Sequence, residues 1–399
     1  MDSHSIGRKW RDLSGRSNWE GMLDPLDIDL RQYILHYGQL AQATYDAFNS
    51  EKLSMHAGNC RYAKRDFFSK VGLEHGNPFK YEVTEFLYAT SKATASKQFA
   101  LKLFSKDEWG MESNWIGYVA VATDEGKAAL GRRDIVVAWR GTVQGSEWVQ
   151  DLHIPLDPAP LIFRDARAEL HNGFYSVYTS NNPDSHITQT SARNQVLEEV
   201  RRLVEKYKNE EISISVTGHS LGAALATLNA VDIAAQGLNK PKDQPHRVFP
   251  VTAFLFASPR VGNSHFGKIF SEYKHLRALR IRNKKDQVPK LPIGLAVVGQ
   301  ELVIDTRKSK YLKEGVSAHN LEAYLHGVAG TQGKKGGFNL EVNRDIALLN
   351  KGMDALKDEY LVPVEWRVHE NKGMVQQSDG TWKLFDHNED VIPSLHARL

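Results

Sequence analysis

Cysteine is nearly absent from this sequence: Cys60 stands alone among 399 residues, so no internal disulfide can form. An excess of one charge is also missing, because 51 basic and 48 acidic residues leave a net charge of +3. A nucleic-acid-binding protein normally carries a concentrated basic excess, so we expect no nucleic-acid partner. We interpret the short basic pairs Lys284-Lys285 and Lys334-Lys335 as solvated loops.

Long apolar runs are missing as well. No stretch approaches the roughly 20 apolar residues that span a bilayer, so we expect no transmembrane segment. The first residues include acidic side chains and no apolar run, unlike a secretory signal or an acidic-poor transit peptide. A single cysteine also suits a reducing compartment. These features predict a cytoplasmic protein.

The chain does contain an alternation of β-rich and helical segments, which is typical of a mainly parallel sheet with helices on both faces. The predicted strands are 116–123, 134–140, 211–218, 248–259, 276–283 and 301–306, and the predicted helices are 27–48, 221–237, 318–328 and 341–359. We expect a partly ordered lead-in at 1–28, an exposed proline-rich loop at 154–163 and a hairpin near the C-terminus.

Ser220 lies between Gly218 and Gly222 in the segment SVTGHSLGAAL. A β-rich run ends at Gly218 and a helical pattern begins at Leu221, so the serine lies on a sharp strand-to-helix turn. Such a turn exposes the hydroxyl and leaves no room for side chains at the two glycines. The helix start also offers N–H groups to a developing oxyanion. We therefore predict that Ser220 is a nucleophile.

A serine hydroxyl needs a histidine to accept its proton and a carboxylate to orient that histidine. When a serine stands on such a turn, the acid and then the histidine follow it along the chain. We favour Asp286, which follows the strand 276–283. Asp305 beside Arg307 is more typical of an ion pair, and Asp232 and Asp243 lie on the wrong side of the sheet.

For the base we favour His319, in the first turn of the predicted helix and just after Ser317, a plausible N-cap. His326, two turns further along, is expected to be structural. His219 precedes the nucleophile and points elsewhere across the turn, so we expect it to pack beside the site. One oxyanion donor is the N–H of Leu221.

The second oxyanion donor should come from an earlier strand-end loop, and the segment WRGTVQG at 139–145 is the candidate. Within it, Thr142 can offer both its backbone N–H and its hydroxyl. The alternative for this segment is a simple β-turn.

Several motifs together resemble a known family. AWRGT, EWVQDL, HNGF, VTGHSLGAALA, ASPRVGN and DQVPKLP occur in the same order as in the class 3 lipases, the fungal triacylglycerol lipase type. The N-terminal stretch from WRDLSGRSNWEGML to ATYDAF and the later SAHNLEAYLH are closer still to plant cytosolic phospholipases A1. The resemblance covers about residues 10–370.

The resemblance implies an α/β-hydrolase fold in which Ser220, Asp286 and His319 form a catalytic triad. It also implies oxyanion positions at Thr142 and Leu221, a lid over about 143–150, and a cytosolic enzyme without metal or cofactor that cleaves glycerophospholipids at sn-1. Within a single domain spanning 1–399, we expect a helical segment over about 1–100, a catalytic core over about 101–330 and an extension over about 331–399. Asn320 departs from the related plant sequences, which usually have Asp after the histidine.

Two other functions stay open at this point. One is an esterase or lipase acting on other acyl esters, such as galactolipids or acylglycerols, and the other is a non-catalytic, lipid-sensing hydrolase fold. Apolar residues near the cleft either rest on a lipid surface or pack beneath the lid; they are Trp148, Val149, Leu156, Leu161 and Phe163.

Overall fold

The computed structural model describes residues 3–51, 53–54, 56–90, 113–142, 155–183, 185, 188–367 and 371–384. In these ranges a seven-stranded sheet forms the centre, in the order β1-β2-β3-β6-β7-β8-β9. The strands are β1 (Tyr81–Thr90), β2 (Ser113–Ala122), β3 (Arg133–Trp139), β4 (Leu156–Pro158), β5 (Glu169–His171), β6 (Ile212–His219), β7 (Val251–Phe256), β8 (Leu276–Asn283), β9 (Gln300–Ile304), β10 (Met374–Gln376) and β11 (Trp382–Leu384).

The sheet is mainly parallel. Strands β3, β6, β7, β8 and β9 run in one direction, whereas β1 and β2 form an antiparallel edge. The carboxyl ends of the five parallel strands therefore meet at one edge, where the loops that follow them collect. The predicted α/β-hydrolase class is confirmed.

Helices cover both faces of this sheet. They are α1 (Ser3–Leu13), α2 (Ile28–Asp46), α3 (Phe67–Lys70), α4 (Asp124–Leu130), α5 (Asn172–Thr179), α6 (Ala192–Lys206), α7 (Leu221–Ala235), α8 (Ser264–Glu272) and α9 (Leu321–Gly330). Side chains alternate across β3, so Ile135 and Val137 join a core with α5 to α8, whereas Val136 and Ala138 join a core with α1, α2 and α9.

The N-terminal region is more ordered than the sequence predicts. Residues 3–13 form α1, and Trp10 and Trp19 are buried. The indole N–H of Trp19 donates to the Leu13 carbonyl at 2.7 Å. The expectation of a partly ordered lead-in was wrong because these aromatic side chains pack against distant parts of the chain.

The predicted helix over 341–359 is also wrong. This segment contains two short 3₁₀ turns, Ile346–Asn350 and Asp358–Tyr360. The buried Asn350 side chain accepts from the backbone N–H groups of Ala355 and Leu356 at 2.9 and 2.7 Å, which holds the chain in a turn. The hairpin expected near the C-terminus is present as β10 and β11.

The proline-rich segment is only partly exposed. Residues 156–158 form β4, which pairs with β5, and Ile162 and Phe163 are buried, whereas Leu161 is exposed. The exposed loop was therefore a wrong prediction for most of this stretch. The proposed lid at 143–150, with Trp148 and Val149, lies outside the described residues. Within the described part of the chain, no helix is both long and apolar enough to cross a membrane.

Candidate active site

Ser220 lies between β6 and α7, at the carboxyl edge of the sheet. Its backbone has φ 60° and ψ −124°, a positive-φ conformation that residues other than glycine rarely adopt. Its N–H donates to the Phe256 carbonyl at the end of β7, at 2.9 Å. The neighbouring strand therefore holds the strained turn in place.

The two glycines around Ser220 are required by close backbone packing. A Cβ atom at Gly218 would overlap the carbonyl oxygen of Gly222, and one at Gly222 would overlap the carbonyl oxygen of Trp139. Trp139 ends β3 and pairs in register with Gly218. The turn thus lies directly against the end of β3 and the loop that follows it.

Ser220, His319 and Asp286 form one hydrogen-bonded chain. Nε2 of His319 lies 2.8 Å from Oγ of Ser220, and Nδ1 of His319 lies 2.7 Å from Oδ2 of Asp286. The Asp286 side chain is 2% exposed and that of His319 is 15% exposed. The carboxylate is therefore shielded, whereas the imidazole can still be reached from outside.

Two further contacts fix the Asp286 carboxylate. The Tyr324 hydroxyl donates to Oδ2 at 2.6 Å, and the Val288 N–H donates to Oδ1 at 3.0 Å. Burial raises the pKa of Tyr324 well above its ordinary value, and the nearby Asp286 charge adds to the effect. Tyr324 therefore stays a neutral donor. Sequence reasoning missed it, because its position in α9 follows the apolar pattern of the core.

His219 packs beside this chain rather than in it. Its ring centroid lies 4.8 Å from that of His319, and its Nδ1 lies 2.8 Å from the Tyr45 hydroxyl on α2. Burial and the His319 charge lower the pKa of His219 well below its usual range, so it stays neutral. The Tyr45 hydroxyl also lies against Gly141, where a Cβ atom would overlap it.

The loop after β3 is held firmly next to Ser220. Arg140 donates from Nε to the Trp115 carbonyl and from Nη1 to the Gly141 carbonyl, both at 3.0 Å. Its guanidinium lies 3.8 Å from the centroid of the Phe48 ring. Thr142, the next residue in this loop after Gly141, is buried.

Leu221 is the first residue of α7 and is buried. The first N–H groups of a helix have no acceptor within the helix, and the helix dipole favours negative charge there. Leu221 and Thr142 thus lie on the two segments, the start of α7 and the loop after β3, that meet at Ser220.

The alternative histidine lies elsewhere. His326 is buried within α9, with Nε2 2.7 Å from the Ser309 hydroxyl, and burial lowers its pKa to about 3. The structure also corrects the start of α9, which begins at Leu321 and is capped by Asn320 rather than Ser317. His319 therefore lies in the preceding loop and not in the first helical turn.

The alternative acids have partners of their own, away from Ser220. Asp305 pairs with Arg307 at 2.6 Å, as expected from the sequence. Asp232 pairs with Arg193 at 2.7 Å, and Asp243 is exposed and pairs with a lysine. Over the residues that the structure describes, no group of three or more His, Cys, Asp and Glu side chains is arranged to hold a metal ion.

Comparison with known proteins agrees with the motifs. The sequence profile of the class 3 lipases matches residues 136–295. The chain is 55% identical to phospholipase A1-IIgamma of Arabidopsis thaliana, over 98% of this chain and 96% of that protein. It is 52% identical to phospholipase A1-II 1 of Oryza sativa subsp. indica, over 97% of this chain and 98% of that protein.

Among solved structures, the LIP2 lipase of Yarrowia lipolytica matches with a TM-score of 0.46 and 21% identity, covering 71% of this chain and 82% of that one. The near-full-length matches to the phospholipase A1-II proteins, at 52 to 55% identity, are what identify the family. The chain belongs to the class 3 lipases, in the group of the plant phospholipase A1-II proteins, and is a carboxylic ester hydrolase.

Proposed function

We propose that this enzyme is a phospholipase A1, which releases the sn-1 fatty acid of a glycerophospholipid through an acyl-serine intermediate. The observation that carries the proposal is the hydrogen-bonded chain from Ser220 through His319 to Asp286, with contacts of 2.8 and 2.7 Å. The choice of substrate rests on the relatives named phospholipase A1-II, which match nearly the whole chain.

In the acylation step, Oγ of Ser220 attacks the carbonyl carbon of the sn-1 ester. Nε2 of His319 accepts the hydroxyl proton, while Asp286 accepts from Nδ1–H and holds the imidazole in the tautomer that this transfer requires. The N–H groups of Leu221 and Thr142, with the Thr142 hydroxyl, stabilise the negative oxygen of the tetrahedral intermediate. His319 then protonates the departing lysophospholipid oxygen, and the acyl group remains on Ser220.

In the deacylation step, water takes the place of the alcohol. His319 accepts a proton from the water as its oxygen attacks the acyl-serine, and then returns that proton to Oγ of Ser220. The fatty acid leaves and the resting hydrogen bonds re-form. Because the contacts to Tyr324 and Val288 hold Asp286 in place, the same imidazole orientation serves both steps.

The test is product analysis on a phosphatidylcholine that carries different acyl chains at sn-1 and sn-2. Wild-type enzyme should release the sn-1 acid, and Ser220→Ala should release neither acid. Serine-dependent turnover of a short soluble ester without release from the phospholipid would retain the triad but contradict the phospholipase assignment. No hydrolysis of either substrate would favour a non-catalytic lipid sensor.

We also propose a cytoplasmic location. The single cysteine supports it, because proteins of reducing compartments are not stabilised by disulfides. Fractionation of cells that express a tagged full-length chain tests this. Recovery in the cytosolic fraction is expected, and recovery only in an organelle lumen would contradict it.

A further inference from the structure

A group of exposed lysines lies at the carboxyl edge of the sheet, in the loops that follow β8 and β9. This group, called here the basic rim, consists of Lys284, Lys285, Lys290, Lys308 and Lys310. The first two stand between the end of β8 and Asp286, and the backbone N–H of Lys284 donates to the Ile304 carbonyl at the end of β9, at 2.8 Å. The two loops are therefore adjacent, and the first of them carries Asp286 of the triad.

The charges of the basic rim have no acidic partner at ion-pair distance within the described ranges of the chain. Nζ of Lys290 donates to the side-chain oxygen of Gln287 at 3.2 Å, and Nζ of Lys308 donates to the Gly336 carbonyl, and both acceptors are neutral. By contrast, Lys313 pairs with two aspartates at 2.6 and 2.5 Å. The rim thus presents positive charge that ion pairs do not neutralise.

An exposed apolar side chain follows these lysines in the same loop. Ile293 is 82% exposed, and Val297 is 51% exposed. The loop is anchored next to the active site, because the Leu291 carbonyl accepts from the backbone N–H of Arg260 at 2.7 Å, just beyond β7. A single exposed isoleucine is ordinary on a protein surface, but one that follows three exposed lysines in the same loop matches the boundary between lipid headgroups and acyl chains.

We infer that the basic rim and Ile293 form the surface on which this enzyme rests on an anionic phospholipid bilayer. The inference rests on the proposed function and adds to it the kind of surface that the enzyme recognises. Lysines near a membrane attract anionic headgroups, each strengthening binding by about fivefold, and an apolar side chain can enter the headgroup layer. Docking here would bring the exposed part of the His319 side chain, and with it the triad, towards the lipid.

The binding test uses the full chain with Ser220→Ala, so that the vesicles are not hydrolysed during the measurement. Co-sedimentation is measured with phosphatidylcholine vesicles, with and without phosphatidylglycerol. The combined change Lys284→Gln, Lys285→Gln and Lys290→Gln should weaken binding to the anionic vesicles by about 100-fold, from three lysines at about fivefold each. Because the attraction is electrostatic, added salt should remove most of this difference.

The matched control changes another pair of exposed lysines, Lys240→Gln with Lys242→Gln. These lie between the end of α7 and the start of β7, at the amino edge of the parallel sheet, whereas Ser220 precedes α7 at the carboxyl edge. A helix of the length of α7 spans about 22 Å, so the control pair lies far from the active site and from the basic rim. This variant should bind anionic vesicles as the parent chain does.

Ile293→Ser tests the apolar part of the surface. It should weaken binding to both kinds of vesicle by about tenfold, because the lost contact is apolar rather than electrostatic. Equal binding of the parent and the triple lysine variant to anionic vesicles would overturn the inference. So would an equal loss in the Lys240/Lys242 control, because the effect would then reflect total charge alone.

Failure of the docking surface can be distinguished from failure of the proposed function. In the active enzyme, the rate on anionic vesicles is divided by the rate on a dispersed short-chain phosphatidylcholine. The triple lysine variant should lower this ratio by about 100-fold, and an unchanged ratio would contradict the docking surface. Absence of sn-1 acid from both substrates in the wild-type enzyme would instead contradict the phospholipase proposal.

Discussion

The loop before α9 and the middle of α9 each carry a histidine, and the two side chains lie in opposite environments. His319, in the loop before the helix, is partly exposed and lies between Ser220 and Asp286. His326, in the middle of the helix, is buried against the Ser309 hydroxyl, and burial lowers its pKa to about 3. A separation of seven positions along the chain thus divides a side chain that can exchange protons from one that stays neutral in the core.

The difference follows from the position of each residue in its element. A loop at the carboxyl edge of a parallel sheet can direct a side chain at groups on neighbouring strand ends. A residue in the middle of a buried helix must satisfy its polar atoms locally, because an unpaired buried group is costly. The same residue type therefore supports chemistry at one site and packing at the other.

The largest expected effect comes from substituting each of the two histidines on its own. His319→Ala should lower kcat/KM by a factor on the order of 10⁶, since the serine loses its base. His326→Asn should leave turnover within about tenfold, but lower the free energy of unfolding by about 1 to 3 kcal/mol, because the buried Ser309 hydroxyl loses one of its two partners. Steady-state kinetics and urea unfolding measure the two quantities. If His326→Asn were the inactive variant, the proposed base would be the wrong histidine.

Tyr45 supports the active site from α2. Its hydroxyl contacts both His219 and the loop that carries Thr142. Tyr45→Phe should lower kcat by about 10- to 100-fold with little change in KM, because the oxyanion donors lose alignment that matters mainly in the transition state. Tyr118→Phe is the control, as its buried hydroxyl donates to the Leu40 carbonyl at 2.9 Å. Equal losses in both variants would indicate a general effect of removing a buried hydroxyl.

Tyr324 lies on α9 between the two histidines and donates to Asp286. Tyr324→Phe should lower kcat by about tenfold, equivalent to about 1.4 kcal/mol, because the carboxylate that orients His319 loses one of its two further donors. The same substitution should leave the rate of the already impaired His319→Ala variant unchanged. If Tyr324→Phe also lowered the rate of the His319→Ala variant tenfold, the effect of Tyr324 would not depend on the imidazole.

The last prediction concerns stability at acidic pH rather than turnover. Burial lowers the pKa of His326 and of His36 to about 3, so the folded chain does not protonate them where the unfolded chain, with a pKa near 6.5, does. Each group should therefore reduce the free energy of unfolding by up to about 1.4 kcal/mol per pH unit as pH falls from about 6 to 4. His326→Asn should flatten this dependence, measured by urea unfolding at several pH values, and an unchanged slope would contradict a neutral His326.

Local patterns predicted the central strands and the turn at Ser220. The β-rich run before Gly218 and the helical run after Leu221 each have the composition and periodicity of the element they form. Asp286 and His319 were also accessible, since both follow from chain order and strand ends. The capping role of Asn320 was missed, because Ser317 and Asn320 are both good caps and only the packing of α9 selects between them.

The contacts that support the site were not accessible from the sequence. Tyr45 and His219 are 174 positions apart in the sequence, and Tyr324 and Asp286 are 38 positions apart. Neither tyrosine belongs to a local pattern that distinguishes it from a core aromatic residue. The error over 341–359 has the same origin, since side-chain bonds of Asn350 override a helical periodicity.

The central claim is that Ser220 carries the acyl group during turnover. The most direct measurement is mass analysis of the full chain after reaction with a p-nitrophenyl alkylphosphonate, which forms a stable bond to an activated serine. The account predicts one adduct, located on Ser220, with loss of activity in proportion to labelling and no adduct in His319→Ala. Full inactivation with the adduct on another residue, or labelling of His319→Ala at the wild-type rate, would contradict it.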